Sequence, residues 1–367
     1  MRKIFAAFFF LVGFLPALFA QEGKTPLSKD IYLDTKVHYG FIICHHKSML
    51  NLASTHLTAF ELSINKPTYG ERSWHQLYKY PQMGLCLWYS TLGNSQILGS
   101  TTAVFPFINF PLLQSRKTSL NFRFGLGLGY LSRRFDRFED YKNNAIGSHF
   151  NGAVNLLYQF KYDLSNKSAI SAGIGLAHFS NGAIKMPNLG INVPTIHVGF
   201  SYKLISQDNV YYNKTDLPPI SKKNEFLIFC AIGAKEIYPI CGKKYFTTSI
   251  SGLYSRVLSH KRKVGIGLDF SYSASNIETL NRDSIYPKYN VLVTRPGLCF
   301  SHELIFGKLS FIMQVGVYLY AMDKSDGMFY DRFGFRYQIS KHFLANLTLK
   351  THFAKADYIE SGFAYKF

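Results

Sequence analysis

The chain has 367 residues, of which 47% are hydrophobic and 16% aromatic, and its formal net charge at pH 7 is +19. After the first twenty residues, no segment approaches the ~18 to 20 uninterrupted apolar residues that a membrane-spanning helix needs, which excludes a helical membrane protein. The many aromatic side chains of this basic chain must therefore be shielded from water by a structure other than a membrane-spanning helix.

Residues 1–20 have the layout of a secretory signal peptide. Arg2 and Lys3 precede a short apolar stretch, and the small Ala20 precedes Gln21. We expect cleavage after Ala20 and export of the remaining chain.

Apolar residues alternate with polar or small residues along many segments. In residues 121–130 (NFRFGLGLGY), one face carries the aromatic and leucine side chains, and the other carries Asn121, Arg123 and three glycines. A period of two indicates a β-strand with one apolar face. Many of these segments are longer than the usual ~5 to 6 residues and approach the ~9 to 11 that a tilted strand needs to cross a bilayer.

An exported, strand-rich chain without a later spanning helix predicts an all-β fold, a transmembrane antiparallel β-barrel of the outer-membrane type. The chain also ends in alternating aromatic residues up to Phe367. Counting such segments, for example 37–45, 168–180 and 192–205, gives about sixteen strands, and we expect a barrel of about 12–16 strands. Residues 206–224 are polar and separate two sets of strands, in residues 21–207 and residues 208–367, as either a long loop or a seam. We expect the second set to provide further strands of a larger barrel.

Residues 177–192 (AHFSNGAIKMPNLGIN) contain the strongest candidate site. The alternation through residues 170–180 places His178 and Ser180 toward lipid and Phe179 inward. Asn192 begins the next strand on the same outer face. Because unpaired polar groups facing lipid are costly, a serine, a histidine and an orienting group there indicate a nucleophile with its general base. The alternative is that the three side chains lie in the headgroup zone, where polar groups cost little.

The sequence resembles the outer-membrane lipid A 3-O-deacylases, whose Bacteroidetes-type relatives are called acyloxyacyl hydrolases. The resemblance is carried by HFSNGAIKMPN (178–188) and extends more loosely to segments such as YPQMGLCLWYSTLGN (80–94) and NNAIGSHFN (143–151). Members of that family are eight-stranded barrels with the active site on the outer wall between the seventh and eighth strands. The strand that carries His178 is also the seventh in our count.

The resemblance implies a role for each matching residue. Ser180 would be the nucleophile and His178 the general base. Asn181 and Asn188 would match asparagines at or near the family's oxyanion-binding region. Apart from the resemblance, a backbone N–H in the Asn181–Gly182 turn is an additional candidate donor. The best-studied members have a glutamate where this chain has Asn192, so the group that orients the histidine lacks a charge here.

The implied activity is that of a serine esterase, a carboxylic ester hydrolase that removes an acyl chain from lipid A. Its partner would be lipopolysaccharide in the outer leaflet of the bacterial outer membrane, and the excess of basic residues suits this anionic surface. We expect no metal, no organic cofactor and no nucleic acid. The adjacent His45 and His46 would point to opposite faces of a strand, which is poor for a metal. The alternative function is a non-catalytic porin or surface scaffold barrel.

Overall fold

A computed structural model describes residues 30–206, 212–214, 216–217, 219–220, 223–353 and 355–367. The predicted signal peptide (1–20) and the predicted domain boundary at residue 207 lie outside the described residues. Among the described residues, no helix has both the length and the apolar character needed to cross a membrane.

The first eight strands form one closed antiparallel barrel in which each strand pairs with the next and the eighth pairs with the first. The strands are β1 (Ile31–Gly40), β2 (Leu57–Pro67), β3 (Gln82–Ser90), β4 (Thr101–Gln114), β5 (Thr118–Leu131), β6 (Phe150–Asp163), β7 (Ser168–Ser180) and β8 (Ile191–Ile205). A short helix α1 (Ser73–Leu77) lies between β2 and β3, and a 3-10 turn (Lys47–Met49) lies between β1 and β2.

The other eight strands form a second closed antiparallel barrel, in which the last strand pairs with β9. These strands are β9 (Asn224–Glu236), β10 (Lys244–Ser259), β11 (Arg262–Ser273), β12 (Arg295–Phe306), β13 (Leu309–Tyr318), β14 (Phe329–Gln338), β15 (Phe343–His352) and β16 (Lys355–Lys366). Helix α2 (Ala274–Arg282) and a 3-10 turn (Asn290–Val293) connect β11 to β12.

The prediction of an all-β antiparallel barrel fold with about sixteen strands is confirmed, but the strands close twice. β1 is paired along its whole length with β8, so the first barrel has no free edge to which β9 could add. The strands after residue 223 therefore form their own barrel, which corrects the expectation of one larger barrel.

Charged side chains fill the interior of the first barrel. The buried Glu61 carboxylate accepts hydrogen bonds from Lys36 Nζ at 2.6 Å and from Arg123 Nη1 at 2.7 Å. The Arg123 guanidinium also lies over the Phe107 ring, 4.0 Å from its centroid. The face that the sequence marks as polar is thus a packed ion-pair network, as expected where eight strands leave room only for side chains.

The second barrel has an interior of the same kind. Arg332 is buried and binds Glu360 at 2.5 Å and Asp269 at 3.0 Å, and it donates to Gln314 at 2.9 Å. A charge in a low-dielectric interior must be paired, and these contacts pair it.

The outward side chains of both barrels form apolar exposed walls. In the first barrel they include Val37, Phe60, Leu62, Ile64, Leu85, Leu87, Ile170, Ile174, Ile196, Val198 and Phe200. In the second they include Phe226, Ile228, Ile232, Phe246, Ile250, Ile266, Leu268 and Phe270. Continuous apolar walls of this extent are unusual for a protein in water and typical of a barrel in lipid.

The two barrels also share sequence in their closing strands. β8 contains GFSYK at residues 199–203, and β16 contains GFAYK at residues 362–366. Because each segment belongs to the eighth strand of its barrel, the second barrel repeats the architecture of the first.

The interior ion pairs predict a large cost for removing their shared carboxylate. Replacing Glu61 by Ala removes the carboxylate that Arg123 and Lys36 share and leaves Lys36 only its longer contact with Asp34 at 3.9 Å. We therefore expect the free energy of unfolding to fall by about 3 to 5 kcal/mol. Replacing Asp163, which pairs with Lys161 where its side chain is half exposed, should cost less than about 1 kcal/mol. Urea unfolding in lipid vesicles measures both changes, and equal losses would contradict the packed interior.

Candidate active site

The barrel pairing brings the three predicted catalytic residues together on the outer wall. His178 is the register partner of Asn192 across the β7–β8 pair, and Ser180 follows His178 by two positions on the same face. That face also carries Ile170 and Ile174, which are exposed, whereas the intervening Phe179 is fully buried. The side chains of the trio therefore point away from the lumen, as the alternation predicts.

Hydrogen bonds connect the trio in one line. His178 Nε2 lies 3.0 Å from Ser180 Oγ, and His178 Nδ1 lies 2.7 Å from Asn192 Oδ1. Since the amide oxygen can only accept, Nδ1 carries the proton and donates it to Asn192. Nε2 then presents its lone pair to the Ser180 hydroxyl, which is the tautomer that a general base requires.

Phe179 fixes the direction of its two neighbours. Its ring lies inside the barrel, 5.7 Å from the Trp88 ring between centroids, within a cluster of buried apolar residues. Gly129 makes room for this ring, because a Cβ at that position would lie 2.8 Å from Phe179 Cδ1. A buried aromatic anchor between His178 and Ser180 prevents the strand end from turning over.

The loop after Ser180 is held by side-chain hydrogen bonds. The Asn181 backbone N–H donates to Asn188 Oδ1 at 2.8 Å, and Asn181 Nδ2 donates to Ser148 Oγ at 2.8 Å. Among the predicted oxyanion residues, Asn181 thus uses its backbone N–H and a side-chain N–H inside the protein, while Asn188 keeps its amide nitrogen as a donor. Gly182 has a φ of +61°, a left-handed conformation that glycine adopts readily.

A gap in the outer wall lies beside the serine. Ser180 pairs with Gly152 on β6, and Gly152 pairs with Leu128 on β5. A Cβ built on Gly152 would have the Ser180 carbonyl oxygen at 3.3 Å as its one neighbour within 4 Å. The exposed Phe150 and the half-buried Val154 flank this gap on the same strand.

Two further residues contact the trio, and the alternation along the strands predicts neither contact. Gly190 has a φ of +80°, and a Cβ there would lie 3.0 Å from His178 Cε1. His45, in the loop after β1, lies 3.3 Å through Nδ1 from Asn192 Nδ2. Gly190 reaches His178 within the β7–β8 hairpin, whereas His45 is close to Asn192 because β1 closes the barrel onto β8.

A separate group in the second barrel has the residue types of a metal site. One ligand atom from each of Asp326, His352 and Asp357 lies within 4.8 Å of the others. Lys235 Nζ, however, forms an ion pair with Asp357, and Arg295 pairs with Asp326 at 3.1 Å. Burial raises the pKa of the Asp326 carboxyl, but positive charges led by Lys235 lower it to about 2. Protein cations already neutralise these carboxylates.

The second barrel differs from the first at the end of its seventh strand. Counted from the tight turns at Ser165 and Ser340, the position that corresponds to His178 is Phe353, which is exposed. The adjacent His352 is buried, and its Nε2 lies 2.9 Å from the Tyr318 hydroxyl. The described residues at this strand end do not repeat the outward His–Ser pair.

Gly190 allows a test of how the trio is held that does not depend on activity. Gly190→Ala should lower the free energy of unfolding by about 1 to 2 kcal/mol through its positive φ and should also displace the His178 ring. Gly327 has a φ of +79° with nothing within 4 Å of a Cβ. Gly327→Ala should therefore lower the free energy of unfolding by a similar amount without displacing the His178 ring. Imidazole NMR signals of His178 should shift only in Gly190→Ala. A shift in neither variant would contradict the contact.

The chain is similar to the crystal structure of Neisserial surface protein A, with 10% identity, a TM-score of 0.34, and coverage of 47% of this chain and 97% of that one. It is also similar to the outer membrane enzyme PagL, with 14% identity, a TM-score of 0.33, and coverage of 45% and 97%. No curated protein matches.

Two family models match, one for each barrel. Residues 58–201 match the lipid A 3-O-deacylase (PagL) model, and residues 224–367 match the model of the acyloxyacyl hydrolase C-terminal domain. Together the two matches cover well over half of the 367 residues. The predicted resemblance is confirmed: the first barrel matches the lipid A 3-O-deacylase (PagL) family and the second matches the acyloxyacyl hydrolase C-terminal domain.

Proposed function

We propose that this protein is an outer-membrane serine esterase that removes an ester-linked acyl chain from lipid A of lipopolysaccharide. The observation that carries the proposal is the 3.0 Å contact between His178 Nε2 and Ser180 Oγ on the outer wall of the first barrel. An ester in the surrounding lipid reaches this hydroxyl without entering the barrel. The match of residues 58–201 to the lipid A 3-O-deacylase family model supports the substrate class.

The proposed reaction proceeds through an acyl-enzyme. His178 Nε2 takes the Ser180 hydroxyl proton as the oxygen attacks the ester carbonyl carbon. The tetrahedral intermediate collapses, the bond to the lipid A oxygen breaks, and His178 returns the proton to that oxygen. Water then attacks the acyl-serine with His178 again as the base, which releases a fatty acid and restores Ser180.

The oxyanion of the tetrahedral intermediate needs donors that are fixed before the reaction. The Asn188 amide is held by its own oxygen, which accepts the Asn181 N–H, so its nitrogen is the donor that we assign. The Gly182 backbone N–H, two residues after the nucleophile, is the second donor that we assign. Asn181 positions Asn188 in this scheme.

Asn192 supplies orientation without charge. Its Oδ1 holds the His178 Nδ1 proton at 2.7 Å and thereby fixes the reactive tautomer. A carboxylate would also stabilise the imidazolium that forms in the transition state, so we expect slower chemistry here than with an acid at this position.

The outer leaflet is the side that fits the site. The trio lies at the barrel end where the connections 41–56, 91–100, 132–149 and 181–190 are found, whereas two of the three opposite connections, 115–117 and 164–167, are tight turns. Outer-membrane barrels have short periplasmic turns and longer external loops. A net charge of +19 favours an anionic lipid surface. We also propose that the protein is exported by the signal peptide predicted at residues 1–20, which is then cleaved.

The porin alternative has less support. A water-filled channel needs a wide barrel, whereas eight strands leave an interior that side chains fill. Buried ion pairs occupy both interiors, at Glu61 in the first barrel and at Arg332 in the second. These features favour chemistry on the outer wall over transport through a lumen.

The nucleophile is tested by lipid A composition. The wild-type protein, expressed in a host with intact lipopolysaccharide, should remove one acyl chain, and Ser180→Ala should leave lipid A unchanged because the attacking oxygen is lost. Ser168→Ala is the matched control, since Ser168 begins the same strand at its far end and should retain full activity. Mass spectrometry of extracted lipid A measures all three. Deacylation by Ser180→Ala at the wild-type level would exclude this nucleophile.

The gap beside Ser180 predicts where the acyl chain lies. Gly152→Leu fills that gap with a side chain, and we expect activity on lipid A in mixed micelles to fall roughly 10- to 100-fold, mainly through KM. Ala172→Leu adds the same bulk to the exposed wall of β7 away from the site and should have little effect. If Gly152→Leu matches the wild type, the acyl chain does not use this gap.

A further inference from the structure

His45 extends the hydrogen-bonded line beyond Asn192. Its ring makes two contacts that define its own protonation. Nε2 lies 3.1 Å from the Leu189 carbonyl oxygen, which can only accept, so Nε2 carries the proton in the neutral ring. Nδ1 then has a lone pair, and it lies 3.3 Å from Asn192 Nδ2, which donates to it.

An asparagine in the orienting position has a difficulty that a carboxylate does not have. A carboxylate presents acceptors in both directions, whereas an amide rotated by a half-turn presents its nitrogen in place of its oxygen. With Nδ2 facing His178, the Nδ1 atom of His178 would have to accept, and Nε2 would carry the proton. That tautomer cannot take the Ser180 proton, so the amide orientation decides whether a base exists.

We propose that His45 is a positioning residue that fixes the amide of Asn192, and through it the tautomer of His178. The inference rests on the proposed function only for its effect on catalysis. His45 Nδ1 offers an acceptor to Asn192 Nδ2, which leaves Oδ1 for the His178 Nδ1 proton at 2.7 Å. A rotated amide would place its oxygen against the lone pair of His45 and lose that bond. Its nitrogen would then face His178, which could accept from it only in the other tautomer.

The fold places His45 where this contact forms. The Ile43 N–H donates to the Asn192 carbonyl at 3.0 Å, which continues the β1–β8 pairing beyond the end of β1. The Gly190 N–H donates to the Ala145 carbonyl at 3.1 Å and holds the loop that presents the Leu189 carbonyl. The Ile43 carbonyl oxygen lies 3.4 Å from His45 Nδ1 and would accept only from a protonated Nδ1. In the neutral ring that tautomer would lose the shorter bond from Nε2 to the Leu189 carbonyl.

The direct test reads the His178 tautomer by nitrogen NMR of the imidazole in detergent micelles. The wild type should show one tautomer, with the proton on Nδ1, and His45→Phe should show a mixture. His45→Gln should restore the single tautomer, because its amide can accept from Asn192 and donate to Leu189. His46→Phe is the control, since the His46 side chain contacts Ser48 instead. A single Nδ1-protonated tautomer in His45→Phe would overturn the inference.

Activity provides the second reading. We expect His45→Phe to lower kcat roughly tenfold, the effect of one lost hydrogen bond, with KM unchanged. In an Asn192→Asp background the same change should cost less than about twofold, because a carboxylate needs no orientation. Equal losses in both backgrounds would show that His45 acts elsewhere. If Ser180→Ala keeps full activity while the tautomer still depends on His45, the proposed esterase fails and the positioning role stands.

Discussion

Two residues separated by one position on a β-strand share a face, and this constraint is what joins His178 to Ser180. The residue between them must then point to the opposite side, and here it is Phe179, buried against Trp88 and given room by Gly129. Burial of a phenylalanine contributes more than exposure of one serine hydroxyl costs, so the packing of the barrel interior fixes the direction of the outer-wall pair. His178 and Ser180 thus lie on the outer wall, and the residue between them anchors the strand in the interior.

Barrel closure supplies the remaining contacts. Asn192 faces His178 because β7 and β8 form an antiparallel hairpin, and His45 reaches Asn192 because β1 pairs with β8. The interior ion pairs around Glu61 join β1, β2 and β5 from inside the barrel. The same architecture occurs in the second barrel, yet there the corresponding position is Phe353 and the nearby histidine faces inward. The eight-stranded fold therefore does not require an outward His–Ser pair, and the pair is a feature of the first barrel rather than of the fold.

The period-two pattern was sufficient to predict β7 at residues 168–180, because its apolar and small residues alternate without interruption. It was insufficient for β1, which was predicted at 37–45 and spans Ile31–Gly40. Asp34 and Lys36 point into the barrel, where each makes buried polar contacts. Charged residues at the start of this strand therefore weaken the pattern by which an amphipathic strand is predicted. The apolar residues that follow Gly40 belong to the loop that carries His45.

The trio could be predicted because its members are close in sequence or linked by one hairpin. His45 could not, since it is 147 residues from Asn192 and its contact exists only in the closed barrel. The alternation pattern also could not distinguish one sixteen-stranded barrel from two eight-stranded barrels. In either arrangement each strand has one inward and one outward face. That distinction depends on whether β8 returns to β1 or continues to β9, which is a property of pairing partners.

The central claim is that Ser180 is activated by His178 on the lipid-facing wall. It is tested most directly by treating the protein in detergent micelles with an alkyl fluorophosphonate and mapping the adduct by mass spectrometry. The account predicts one adduct, on Ser180, which disappears in His178→Ala although the serine is still present. The absence of an adduct in the wild type, or labelling of Ser180 that does not depend on His178, would contradict it.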